Sequence, residues 1–225
     1  MNAVFAEHDL DPESCLAPTR FIDSAHPRIQ AVVRDLDVEG LDPAQRAVKL
    51  FAFVRDRIEY EFMIRLTPDE YVASYTLEVG KGFCVRKAVL LCALGRAAGI
   101  PTAVVLSDLR DFTLSPEVLD ALGTDTMYHH GLSAFHLDGT WLTVDASLTP
   151  SLCRRKGYRL VAFDGTKDAL LPETTLDGAS HAAYATFHGL YADLPYEQMM
   201  HAFARAYAHV DPTRIPKLGY PREKR

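Results

Sequence analysis

Apolar residues recur at helical spacing in two stretches near the N-terminus. Ile29, Val32, Val33 and Leu36 follow Pro27, whose fixed φ suits a first helical position. Behind a stronger start signal, Val48, Phe51, Val54 and Ile58 form a second stripe: Asp42 can cap, Pro43 stands at N1, and Gln45 stands where a capping box wants it. Both patterns predict helices that lay one face on a core, after an N-terminal arm running to about Pro27. Residues 58 to 62, Ile-Glu-Tyr-Glu-Phe, alternate apolar and acidic and fit either a half-buried strand or the end of the second helix.

A different pattern begins at Cys84. The stretch from Val85 to Ala98 is rich in Ala and Leu, almost free of polar residues after Lys87, and closed by Gly99 and Pro101, which predicts a helix buried on all sides. The β-branched run from Thr102 to Leu106 predicts a short interior strand, and Asp108 to about Thr126 a loop-rich stretch with a helical turn. His130 to Leu137 and Thr140 to Ser147 flank Asp138-Gly139, a strong two-residue hairpin signal. Tyr158 to Phe163 reads as a further strand, Tyr196 to His209 as a helix, and the basic residues beyond Arg214 as a solvated tail. No repeat or linker-length tract divides the chain, so residues 1–225 are expected to form one domain.

The candidate chemistry sits at the start of the buried helix and on the hairpin. Cys84 follows Gly80 and Gly82, where unpaired backbone N–H groups and the helix dipole favour a thiolate, Arg86 and Lys87 add positive charge, and the Cys84 N–H can donate to an oxyanion. A free cysteine is as often a small buried hydrophobe, a description that suits Cys92 within the apolar run. Cys15 and Cys153 lack comparable surroundings. With a two-residue turn, Leu137 pairs with Thr140 and His136 with Trp141, which puts His130, Leu132, Ala134, His136, Trp141, Thr143 and Asp145 on one face. His130 then lies diagonal to Asp145, while His129 falls on the opposite face with Leu142 and Val144. A three-residue turn would exchange the faces. A thiol, an imidazole and a carboxylate that orients it are the parts of thiol nucleophilic catalysis. Tyr60 is a candidate oxyanion donor, and Gly82, Phe83, His136 and Trp141 are candidates for substrate contact; for His136, nearer the turn, a rim or packing role competes. His181 and His188, near Tyr184 and Tyr191, are candidates for lining a pocket in the C-terminal region.

Composition changes this picture mainly by exclusion. Apolar residues at 48% and charged residues at 24% are those of a folded globular chain. A net charge of -6 disfavours nucleic acid or an anionic membrane as partner. No stretch approaches the ~18 apolar residues of a membrane span, and Met1 to Ser14, acidic and without an apolar run, does not read as a secretory leader. The cysteines form no C-x-x-C pair and the histidines no H-E-x-x-H spacing, so no disulfide framework, metal or cofactor is expected, and a reducing, cytoplasmic setting is.

Gly82-Phe83-Cys84, then Ala88, Leu91 and Leu94-Gly95-Arg96-Ala97-Ala98-Gly99-Ile100-Pro101, resemble the cysteine motif of the transglutaminase-like superfamily, a papain-like cysteine fold. His130-Gly131-Leu132, followed by Leu137-Asp138-Gly139-Thr140-Trp141 and Val144-Asp145, is similar to the family's His strand and Trp-x-x-x-Asp strand. The similarity covers roughly residues 45 to 150. It departs at Gly131 and Leu132, where many members carry Ala and an aromatic residue. Flanking stretches, Ala17 to Asp23 and Phe163 to Asp193, resemble those of a small bacterial subgroup. The resemblance implies an α+β fold, with the cysteine at the N-terminus of a buried helix packed on an antiparallel sheet that carries His and Asp. It implies Cys84 as nucleophile, His130 as base and Asp145 as orienter, in agreement with the hairpin register.

The expected function is acyl transfer, or hydrolysis of an amide or thioester, through a covalent acyl-enzyme, in the manner of the superfamily's transamidases, peptidases, amidases and acyltransferases of specialised metabolism. The acyl substrate is a small molecule, a peptide or a carrier-bound group. Two other classes compete. The Cys–His pair can serve as acid and base in addition–elimination or isomerisation of a metabolite, and the fold can persist as a non-catalytic binding module. No D-x-D-x-D-G loop is present, so the calcium dependence of the animal enzymes is not expected.

Overall fold

A computed structural model describes residues 10–62 and 64–210; the expected solvated tail lies outside them. Among its described residues the N-terminal arm contains a 3₁₀ turn, Pro12–Cys15, before helix α1 (Pro27–Asp35). Helix α2 (Pro43–Arg57) starts at the predicted capping box, in which Asp42 Oδ1 accepts the Gln45 N–H at 2.8 Å and Gln45 Oε1 accepts the Asp42 N–H at 3.4 Å. Residues 58 to 62 leave that helix. Strand β1 (Glu59–Tyr60) pairs in parallel with β2 (Lys81–Gly82) across helix α3 (Ala73–Val79), which Gly80 terminates at φ 68°.

Helix α4 (Cys84–Ala97) is buried from Cys84 through Arg96, as its apolar run predicts. It contacts α1, α2 and α3 as well as the sheet, which makes it the centre of the core. The sheet consists of β3 (Thr102–Asp111), β4 (Thr126–Leu137), β5 (Thr140–Val144) and β6 (Ala182–Tyr191), antiparallel throughout in the order β5-β4-β3-β6. Helix α5 (Pro116–Leu122) lies between β3 and β4, α6 (Pro150–Lys156) follows β5, and α7 (Tyr196–Ala206) packs against β4. Two glycines let α4 approach the sheet. A Cβ on Gly95 would stand 2.4 Å from Thr102 Cγ2, and one on Gly131 would stand 2.4 Å from Val85 Cα. The second contact seats the first turn of α4 directly on β4 beside His130. At the other end of α4, buried Arg96 donates to the carbonyls of Ala17, Thr102 and Ala192, tying both flanks of the chain to the core helix.

The hairpin has the predicted register, with Leu137 opposite Thr140, His136 opposite Trp141 and Ala134 opposite Thr143. Three expectations change. Strand β3 continues past Leu106 to Asp111, and the loop-rich stretch holds α5. Strand β6 has no counterpart in the sequence reading. Tyr158 to Phe163 forms no strand: Tyr158, Val161 and Phe163 are buried while Arg159 and Leu160 are exposed. These apolar side chains meet partners other than a sheet neighbour. Phe163 packs on Phe51 and Phe135, and the Val161 carbonyl accepts from Arg55 Nη1 at 2.7 Å.

Candidate active site

The first turn of α4 brings Cys84 to a cavity, because its N-cap residue Phe83 is extended and offers no side-chain cap. The first N–H groups of the helix therefore point outward without a capping side chain, with the positive end of the dipole behind them. That arrangement suits an oxyanion formed at a group bonded to Cys84.

His130 and Asp145 are both buried, and His130 Nε2 lies 2.6 Å from Asp145 Oδ2. Asp145 uses both oxygens. Oδ1 accepts the Ser147 N–H at 2.9 Å, and Oδ2 also accepts the Tyr184 hydroxyl at 2.8 Å. Tyr184 in turn accepts the Leu171 N–H at 3.1 Å, so its hydroxyl is fixed from both sides. Burial opposes charge on His130, yet Cys84 and Asp145, which both also hydrogen-bond the ring, hold the imidazole well above its ordinary value. Burial opposes charge on Asp145 too, and the charge of His130 with the hydrogen bonds from His130 and Ser147 keeps its carboxyl below the usual range. With Nε2 taken by Asp145, Nδ1 is the ring nitrogen left for Cys84. The ring thus stands between a carboxylate and a sulfur.

Lys87, one turn into α4, is buried under this pair. Its Nζ donates to the carbonyls of Ile58 at 2.7 Å and Ser147 at 2.8 Å. Burial pushes the amine down to about 7, against the pull of Asp145. A neutral amine has two N–H donors for those two carbonyls, which makes Lys87 a brace for the Ser147 backbone that holds Asp145.

The cavity encloses about 80 Å³ and is partly open to solvent. Tyr60, Phe62, Ile64 and Phe83 line one part, and Leu122, Met127, Tyr128, Phe203 and Tyr207 the rest. Cys84, His129 and His130 supply its remaining surface. Such a wall favours an uncharged, aromatic or aliphatic group. Of the sequence candidates, Tyr60 and Phe83 line the cavity with Cys84 and His130. Gly82 lies just outside it, where its carbonyl accepts the Glu61 N–H at 3.1 Å. His136 and Trp141 do not reach it: their rings pack on each other, 5.1 Å apart, beside the hairpin turn. His181 stacks on Tyr158 at 4.2 Å, away from the cavity.

Strict alternation misplaces His129. It faces the same cavity as His130, because its backbone is left-handed at φ 53° and β4 bulges against β3 at this point. Tyr184 is the site residue that sequence reasoning missed. It sits on β6, whose alternation is interrupted by bulges, and nothing within the strand signals that its hydroxyl meets a carboxylate 39 residues earlier.

The family model of the transglutaminase-like superfamily matches residues 30–146, and the chain belongs to that superfamily. Its mixed α and antiparallel β architecture is the transglutaminase-like, papain-like fold expected from the sequence. No curated protein matches the chain in sequence. Among solved structures, a cysteine protease candidate from Cytophaga hutchinsonii is similar at 20% identity and a TM-score of 0.47, covering 80% of this chain and 55% of its own. The periplasmic domain of TgpA from Pseudomonas aeruginosa is similar at 21% identity and a TM-score of 0.43, covering 61% of this chain and 48% of its own. The chain thus spans about half the length of these two structures. Members of the superfamily typically use a cysteine in catalysis. Among the described residues, no helix is long and apolar enough to cross a membrane.

Proposed function

We propose that the protein transfers or hydrolyses an acyl group through a covalent Cys84 acyl-enzyme, with His130 as acid and base and Asp145 as its orienter. The observation that carries this reading is the buried His130–Asp145 couple abutting Cys84 at the wall of an apolar cavity. The Cys84 sulfur attacks the acyl carbon, and the first N–H groups of α4 receive the oxyanion. Collapse of the tetrahedral adduct breaks the bond to the leaving group, which takes its proton from the His130 imidazolium. His130 then accepts a proton from water or an amine as that acceptor attacks the thioester, and Cys84 is released. Asp145 keeps the ring in one orientation throughout, and Tyr184, whose hydroxyl donates to Asp145 and is held by the Leu171 N–H, positions that carboxylate.

The apolar wall supports an uncharged aryl or branched aliphatic acyl group, presented as a small-molecule, peptide or carrier-bound amide, ester or thioester. A cytoplasmic setting belongs to the same proposal and is supported by four cysteines that are all free and buried. The test is intact-mass trapping with benzoyl and isovaleryl thioesters. An adduct on Cys84, absent in Cys84→Ala and slowed in His130→Ala, is the expected result. No adduct with any acyl donor, or one that survives Cys84→Ala, would remove the reading.

A further inference from the structure

Next to the proposed reaction site, three strands are irregular at one level. The pairing of β3 with β4 slips between Ser107 and Leu109, and the pairing of β3 with β6 slips both there and between Leu106 and Ser107. Among the residues these slips leave out of register are Asp108 on β3, His129 on β4 and His188 on β6. Bulges re-aim side chains, and here they turn three of them toward one point. His188 Nε2 lies 2.7 Å from Asp108 Oδ1, His129 Nδ1 lies 4.0 Å from the same oxygen, and one ligand-type atom from each residue falls within 4.8 Å of the other two. The left-handed backbone of His129, at φ 53°, is a cost retained at this position. Although the His129 side chain is only 9% exposed, its Nδ1 has no hydrogen-bond partner. A buried imidazole nitrogen without a partner is itself costly, and an ion would satisfy it.

We infer that Asp108, His129 and His188 form a binding site for one divalent transition-metal ion of the Zn²⁺ or Co²⁺ class. Two imidazoles and one carboxylate are the donor set such ions take, with water or a substrate oxygen completing the coordination. The ligand atoms of a tetrahedral site with bonds of about 2.0–2.1 Å stand roughly 3.3 Å apart, between the 2.7 and 4.0 Å found here. The rings of His129 and His188 stack at 4.0 Å with 16° between planes, so one must turn to aim at a shared ion. His188 is the ring with room: its side chain is 23% exposed, it lies on edge strand β6, and Gly189 at φ 139° follows it. The site requires no acyl chemistry, and its position beside the cavity through His129 gives an ion access to bound substrate. The sequence carries no metal motif because the three ligands come from three strands.

The competing thiol is removed by working with the full-length Cys84→Ser protein and Co²⁺ as the probe. The expected result is one equivalent bound, visible d–d absorption and no thiolate charge-transfer band, with affinity falling at least about 100-fold in His188→Ala and in Asp108→Ala. Circular dichroism confirms that each variant is folded. Because binding to Cys84→Ser is read first, a variant that fails to fold does not shield the proposal. No stoichiometric binding in the Cys84→Ser protein, binding only where Cys84 is present, or full affinity in folded His188→Ala would each overturn it.

Discussion

Two histidine–aspartate couples lie on or at the end of strands of one sheet, with nearly equal bonds of 2.6 Å between His130 and Asp145 and 2.7 Å between His188 and Asp108. Their surroundings separate them. Both members of the first are buried, every oxygen of Asp145 is engaged, and the free edge of the ring meets a thiol. In the second, His188 is partly exposed and stacked on another imidazole whose Nδ1 has no partner. A His–Asp distance alone therefore does not define a catalytic base. The group at the other ring nitrogen, and the number of bonds fixing the carboxylate, separate the couple proposed for acid–base work from the one proposed to hold an ion.

The sharpest way to break this comparison is to remove each carboxylate charge in turn. Asp145→Asn is expected to lower kcat/KM by about 10²- to 10⁴-fold, since the imidazolium loses its counter-charge and its fixed tautomer, while Asp108→Asn costs less than about 10-fold. Equal losses in a steady-state assay of the acyl donors would erase the distinction. Lys87 tests the buried brace beneath the first couple. Its folded-state value of about 7 lies below the ordinary 10.5 of lysine, so between those values the unfolded chain binds the extra proton and stability rises with pH. Urea unfolding at pH 7 and about pH 9.5 should show a gain of about 3 kcal/mol that is absent in Lys87→Met. An identical pH dependence in the two proteins would mean that the amine is charged when folded. The smallest effect belongs to Tyr184→Phe, which removes one of three hydrogen bonds to Asp145. A loss of about 3- to 10-fold in kcat with little change in KM fits a positioning role; a change in KM alone would place Tyr184 in substrate contact instead.

The first couple was legible because local rules fix it. Asp138-Gly139 sets a two-residue turn, the turn sets the register, and the register carries His130 to Asp145 across a single hairpin. Cys84 was legible through helix-start chemistry, and Gly131 explains how that helix end comes to rest beside His130. The second couple was not legible, because its residues come from separate strands and stand where the pairing slips, as does His129 beside them, which alternation puts on the wrong face. Strand β6 was missed for the same reason: its bulges at His188 and between Phe187 and Tyr184 break the period that marks a strand. Tyr158 to Phe163 failed in the opposite direction. Tyr158, Val161 and Phe163 are buried, but the apolar residues record only that side chains are covered and say nothing about whether a strand or an aromatic cluster covers them.

The central claim is that His130 activates Cys84, and its most direct test is the rate of Cys84 alkylation by iodoacetamide from about pH 5 to about pH 9. Labelling is followed by peptide mass in wild type and in His130→Ala. The account predicts rapid labelling at pH 6, well below the ~8.5 at which a free thiol ionises, and a fall of at least about 10-fold in the variant. Labelling that rises only near the ordinary thiol range and is the same in both proteins would contradict it.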